Sequence, residues 1–374
     1  MDIVIAIDSF KGSLSSLEAG EAAREGILRA CPDARTHILP LADGGEGTVD
    51  ALMTALDGEL ITMKVSGPLG SPVSAVYGMK DDMAVMEMAA AAGLPLVPPA
   101  LRDGVTASTF GVGEMIAHAL DAGCRRFIMG IGGSATTDGG MGMLQALGFS
   151  FLDAEGREVG HGARALPSVA SIRAENVLPA LKDAEFLIAC DVNNPLCGPR
   201  GAAHVYGPQK GIPSDRIEDI DHAMSHYAAI CAAFSGKDCS SHPGAGAAGG
   251  LGFAFLTFLN TSLRSGVDLV LDTIGLDALL EHADIAVTGE GRIDAQTAMG
   301  KGPGGVARRA KAHGCRVVAF AGAVTPDARS VNEHGIDAFF PIARGPISLE
   351  EALDKDCARR ALSDTAEQVF RLLA

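Results

Sequence analysis

Tryptophan is absent from the chain, and tyrosine occurs only 3 times. Without aromatic platforms, stacking of exposed nucleic-acid bases is a poor fit. A basic excess is missing too, since the net charge is −16. Nucleic acid and anionic membrane both require basic patches, so neither is expected as a partner. The 8 cysteines form no C-x-x-C pair. A chain of 374 residues, 47% of them hydrophobic, can bury its own core and needs no disulfide framework. Reduced cysteines and a cytoplasmic location are therefore expected. The opening MDIVIAIDSF has no basic n-region and no cleavage site, which argues against a signal peptide. The long uncharged run PGAGAAGGLGFAFLTFLNTSL from Pro243 is broken by glycines and by Asn260. It reads as a buried helix, not as a membrane span.

Glycine, by contrast, is abundant at 47 residues, against a usual share of roughly 7%. These glycines cluster behind apolar runs, as turns and close-approach loops do. DIVIAID reads as a buried parallel strand. Ser15 and Glu18 then form an S-x-x-E capping box ahead of apolar residues at helical spacing. THILPLADGGEGT repeats the strand, turn and helix, and ELITMKVS adds a strand. From Pro72 the rhythm changes to a hairpin turning near Asp81, a helix over 109–122 and further mixed elements. Strand–helix alternation returns with ADIAVTG and CRVVAFAG. The expected fold is α/β: a Rossmann/flavodoxin-like parallel-sheet domain formed by both chain ends, residues 1–65 plus 281–374. A mixed α/β domain, 66–280, is inserted between them.

Four glycine-rich turns follow apolar strands: DSFKGS, LADGGEGT, GIGGSATTDGG and TGEGRIDAQTAMGKGPGG. Ligands of open parallel sheets bind outside the carboxyl ends of the strands. A glycine turn there lets backbone N–H groups approach an anion, and the next helix adds its positive end. The turns also carry Asp8, Asp43, Glu46, Asp138, Glu290 and Asp294, with Lys11, Arg292 and Lys301 as cations. Anion-cradling loops with acids point to phosphate plus a divalent ion, the parts that phosphoryl transfer needs. No G-x-x-x-x-G-K-[ST] occurs, nor an H-R-D or D-F-G set. GAGAAG, with Gly244, Gly246 and Gly249, does match G-x-G-x-x-G. It follows KDCSSHP and no strand, so the dinucleotide reading fails on context. His222 and His226 lack an intervening Glu and read as a solvated helix face. Near the middle of the chain, AEFLIAC reads as a strand ending at Asp191, with Asn193 and Asn194 behind it. An acid at a strand end followed by amides suits a base or a metal ligand, although an Asx-turn has the same look.

Seven blocks in order resemble the signatures of the bacterial two-domain glycerate kinase family: DSFKGSLSSLEA, PLADGGEGT, GIGGSATTDGG, CDVNNPLCGPRGAA, GPQKG, PGAGAAGGLGFA and TGEGRIDAQT. The likeness runs from Asp2 to about Ile342. One departure is Thr137, where the family pattern has Asn. The resemblance implies ATP-dependent phosphorylation of D-glycerate, Mg2+, and an active site in a cleft between a Rossmann-like and an inserted domain. It names no catalytic residue, so roles rest on physical argument. Asp191 is preferred as base, with Lys11 and Asp43 as the other catalytic groups. Ser9, Arg292, Lys301, Asn193, Gly132, Gly133 and Ser134 are assigned to substrate or phosphate. Asp43, Glu46, Asp138, Glu290 and Asp294 are assigned to metal, and Gly300, Gly302, Gly304 and Gly305 to closure of the last loop. Partners are then D-glycerate and ATP. The 2-phosphoglycerate product is favoured over the 3-phospho isomer, and monomer or homodimer is left open. Two rivals remain, a non-catalytic binder of small hydroxy-acids and a dinucleotide oxidoreductase; Mg2+-dependent ATP turnover separates the first, NAD(P) binding the second.

Overall fold

The computed structural model describes residues 1–299, 301–343 and 345–374. In chain order, its strands begin with β1 (Asp2–Ile7) and β2 (Arg35–Ile38). Then come β3 (Glu59–Ser66), β4 (Pro72–Lys80), β5 (Met83–Glu87), β6 (Arg126–Gly130), β7 (Ser150–Leu152), β8 (Ser171–Arg173), β9 (Glu185–Ala189) and β10 (Thr261–Arg264). The last three are β11 (Ile285–Ile293), β12 (Arg316–Val324) and β13 (Ala338–Pro341). The chain divides into two compact units. The first comprises Met1–Asp43, Asp50–Asp57 and Val267–Ala374, and the second Gly44–Val49 and Gly58–Gly266.

The first unit holds a five-stranded sheet in the order β13-β12-β11-β1-β2, parallel throughout. Central strand β1 is flanked by β11 and β2, with Ile5 beside Val287 on one side and Ile38 on the other. Ile3, Ile5 and Ile7 alternate onto one face and meet Phe320, Leu362 and Phe370. Val4 and Ala6, which point the other way, are buried as well, as expected for a parallel sheet covered on both faces. The helix Ser16–Ala30 begins with the Ser15–Glu18 capping box and packs against Lys355–Leu373. Contact is close because Gly26 has no side chain: a Cβ there would lie 1.8 Å from the Ser363 carbonyl oxygen.

The second unit is built on a six-stranded sheet, β10-β9-β6-β5-β4-β3. Its β5, β6, β9 and β10 run parallel, whereas β3, β4 and β5 pair antiparallel. The β4–β5 hairpin turns at Asp81, whose φ is +51°. A two-stranded β7–β8 ribbon completes its strands. Two boundaries differ from the sequence expectation. Strand β3 pairs with β4 along its whole length and so joins the second sheet, not the first. Residues 267–280, including the helices Gly266–Thr273 and Leu276–Leu280, cluster with the first unit and not the second. Alternation of side chains along β3 fits either sheet, and only pairing decides between them. GAGAAG forms no strand–helix nucleotide turn; Ala247–Gly249 is a short 3-10 turn ahead of the buried helix Leu251–Phe258. Among the described residues no helix is long and apolar enough to cross a membrane.

Candidate active site

The order β2-β1-β11-β12-β13 reverses direction between β1 and β11, and a crevice forms at such a switch point. Asp8 follows β1 directly, and its N–H donates to the Gly289 carbonyl on β11 at 2.8 Å. Glu290 is next on β11. Two acids therefore sit at the carboxyl ends of adjacent central strands, with Asp43 and Asp294 as electrostatic neighbours. Burial pushes the Asp8 carboxyl up to about 7, against the Ser9 N–H that donates to it at 2.6 Å; Asp43 and Glu290 raise it further and Lys11 lowers it. Burial likewise raises Glu290. The Thr297 hydroxyl, which donates to its Oε1 at 2.6 Å, and Lys301 oppose this, while Asp294 and Asp43 reinforce it.

This crowding follows from local sequence. Asp294 opens an Asx-turn by accepting from the Gln296 N–H at 2.9 Å, which brings the buried Thr297 back to Glu290. Lys301 caps the helix Gly302–Ala312, with Pro303 in its first turn. A Cβ on Gly302 would lie 3.4 Å from Asp8 Oδ2, so the positive end of that helix faces the Asp8 carboxylate. Arg292 is 66% exposed and stands 3.7 Å from Asp294. Lys11 is exposed as well. Gly300 lies outside the described residues. Gly304 and Gly305 do not act as loop hinges; both are buried inside the helix Gly302–Ala312, where a Cβ on Gly304 would lie 2.4 Å from the Thr297 carbonyl.

A second set of candidates belongs to the second unit. Gly132 and Gly133 are exposed after β6, and a Cβ on Gly132 would meet nothing within 4 Å, so a ligand has room to approach that backbone. Ser134 is buried and accepts from Lys210 Nζ at 2.8 Å; Lys210 also donates to the Thr136 carbonyl at 2.6 Å. Only 2% of Lys210 is exposed. Burial pulls its ammonium down to about 7, and the charge of Asp138 offsets this in part.

Asp138, assigned to metal from the sequence, has a structural setting of its own. It is fully buried, and its carboxylate accepts from the Thr109 N–H and hydroxyl and from the Gly140 and Gly142 N–H groups. With its lone pairs so occupied, it holds the turn together. Thr137, the departure from the family pattern, is buried beside it with no partner for its hydroxyl among the described residues. Asp191 does not end a strand either: β9 stops at Ala189. It is exposed in the following loop, where it accepts from the Gly266 N–H at 3.1 Å. Asn193 is exposed. Asn194 braces the loop by donating to the Arg200 carbonyl at 2.8 Å and accepting from the Tyr206 hydroxyl at 2.6 Å. Glu46 is exposed and clusters with the second unit, Asp43 with the first.

The model of the Glycerate kinase family matches residues 3–374. The chain belongs to the glycerate kinase family. It is 48% identical over 356 residues to a glycerate kinase of Bacillus subtilis (strain 168), covering 95% of this chain and 93% of that protein. The glycerate 2-kinase of Escherichia coli (strain K12) is 44% identical over 354 residues, 94% of this chain and 93% of the relative. A crystal structure from Salmonella typhimurium LT2, provisionally named glycerate kinase 2, matches with a TM-score of 0.92 at 45% identity, over 100% of this chain and 98% of that one. The sequence blocks thus located the family. Weighing residues in isolation left Asp8 without a role, although its place directly after β1 was visible. No sequence signal marks Lys210 as buried or Thr297 as the partner of Glu290.

Proposed function

We propose that the protein transfers the γ-phosphoryl group of ATP to D-glycerate, with Mg2+, giving 2-phosphoglycerate and ADP. The observation that carries this reading is the convergence of Asp8 and Glu290, both with raised carboxyls, at the switch point of a parallel sheet, with Lys11 and Lys301 as electrostatic neighbours. Names of the relatives support glycerate as acceptor. In the reaction the 2-hydroxyl oxygen forms a bond to Pγ, the bond from Pγ to the β–γ bridging oxygen breaks, ADP leaves, and the hydroxyl proton passes to a carboxylate.

The residues fit Mg2+ in a particular way. Among the described residues no three acidic, His or Cys side chains form a metal cage. Mg2+ keeps several waters and is commonly held by one or two carboxylates plus phosphates, so a full cage is not required. Asp8 and Glu290 would hold it, with Asp43 beside them; Asp8 is raised first by burial and then by the charges of Asp43 and Glu290, and a cation there would relieve both. Mg2+ would supply neutralisation of charge on the transferring phosphoryl group. Lys11 and Lys301 attract phosphate oxygens, aided by the N-terminus of Gly302–Ala312. Ser9 and Arg292 are kept as contacts to phosphate or to the glycerate carboxylate. Asp191 is kept as the group that positions or deprotonates the hydroxyl, and Asn193 and the Gly132–Ser134 loop as polar contacts to substrate. Glu46 is kept as a ligand to metal-bound water. The test is release of ADP from ATP and Mg2+ that depends on D-glycerate. ADP release indifferent to D-glycerate would sink the reading.

A further inference from the structure

The carboxyl ends of β11, β12 and β13 border an open groove of about 160 Å3 within the first unit. The floor is backbone and small side chains: Gly291, Gly322 and Ala323 on one side, Ala358 and Ala361 of the C-terminal helix on the other. Gly322 must be glycine for this floor to lie flat, since a Cβ there would come within 2.6 Å of the Gly291 carbonyl. Around the rim the apolar side chains are exposed to an unusual degree, Leu349 at 75% and Ile347 at 50%. A contiguous exposed apolar rim of this sort marks a contact surface.

Two charged side chains, Lys11 and Glu351, line the groove. Lys11 also acts on the charge of Asp8, which places the groove within electrostatic reach of the acid cluster. Ser13 lines it too, and its hydroxyl oxygen is buried with no partner among the described residues. A buried hydroxyl without a partner carries an uncompensated desolvation cost, which a ligand nitrogen or oxygen would remove. The shape therefore calls for a ligand with an anionic end at Lys11 and a flat, largely apolar end over the glycine floor. Glycerate, with three carbons, a carboxylate and two hydroxyls, has no apolar part to bury there. A nucleoside triphosphate has both parts.

We infer that this groove takes the nucleoside portion of the phosphoryl donor, its purine base over Gly291, Gly322 and Ala323 and its phosphates passing Lys11 toward Asp8 and Glu290. The inference rests on the kinase reading above. It is tested with Ala323→Phe, which projects an aromatic ring from an exposed position into the groove. ADP binding in Mg2+, measured by calorimetry, should weaken by about tenfold or more. The KM for ATP should rise in step, while the KM for D-glycerate and inhibition by inorganic tripolyphosphate, which lacks the nucleoside, stay as in the wild type. Leu349→Asp, on the exposed rim, should weaken ADP in the same direction, which guards against misfolding of the first variant. In the wild type, ADP should also slow alkylation of Cys357, an exposed thiol on the groove wall, without slowing that of Cys31. Wild-type ADP binding that both variants retain, with Cys357 unprotected, overturns the inference and leaves the kinase reading standing. So does a change of self-association with ADP affinity intact, which would make the groove a contact between copies. A wild type that binds no ADP and turns over no ATP overturns both.

Discussion

Lys210 Nζ donates to Ser134 Oγ at 2.8 Å in the interior of the second unit, which ties a buried ammonium to the glycine turn after β6. Its ammonium is pulled down to about 7 from 10.5, first by burial. Between those values the unfolded chain binds more protons than the folded one, so this residue makes stability rise with pH across that window. Lys210→Met should flatten the dependence. Thermal unfolding followed from about pH 7 to about pH 9.5 checks it: wild type should gain stability relative to the variant, and parallel curves would show that Lys210 keeps its proton in the folded protein as in the unfolded chain.

Asp8 makes the opposite pH prediction. Its folded carboxyl is raised from 3.8 to about 7. Within that window the folded protein binds more protons, so without metal this group lowers stability as pH rises. With Asp8 in its proposed role as a holder of Mg2+, affinity for Mg2+ and ADP should rise with pH through about 7 and binding should release a proton. Calorimetry in buffers of different ionisation enthalpy reads that proton directly. Asp8→Asn should abolish its release and cut kcat/KM by roughly 10- to 150-fold, the equivalent of losing a charged contact of about 1.5–3 kcal/mol.

Asp191 is separable from that cluster by its metal response. Asp191→Asn should lower kcat by about 10²–10⁴-fold as a lost base does, with the Mg2+ midpoint unchanged. Rescue of kcat by excess Mg2+ would make it a metal ligand instead.

Gly26 tests the packing of the first unit. A methyl group there meets the Ser363 carbonyl oxygen at 1.8 Å. Gly26→Ala should separate the helices Ser16–Ala30 and Lys355–Leu373 and destabilise by about 1–3 kcal/mol or more, despite the better helix propensity of alanine. Denaturant titration measures it, and a stability gain would mean that the two helices are not held this closely.

Much of this was legible in the sequence where local rules and tertiary structure agree. The Ser15–Glu18 box, the β4–β5 hairpin and the parallel sheet made from both chain ends are of this kind. What the sequence withheld was burial and pairing. Asp8 and Asp138 both follow a strand on a glycine-rich turn, yet one lies at the switch point beside two other acids and the other is sealed in by four hydrogen-bond donors. The strand β3 alternates well enough for either sheet, and its partner β4 follows it in sequence, which argued for a hairpin that the boundary at residue 65 divided. Lys210 looks like any surface lysine until its neighbours are placed.

The most direct test of the central claim is ³¹P NMR of the product formed from ATP, Mg2+ and D-glycerate by the intact protein. The account predicts loss of the γ-phosphate signal and the appearance of ADP with a phosphomonoester resonance whose proton coupling marks attachment at C2, and it predicts that Asp8→Asn suppresses both. Inorganic phosphate as the only new species, or a phosphomonoester formed at an undiminished rate by Asp8→Asn, would contradict it.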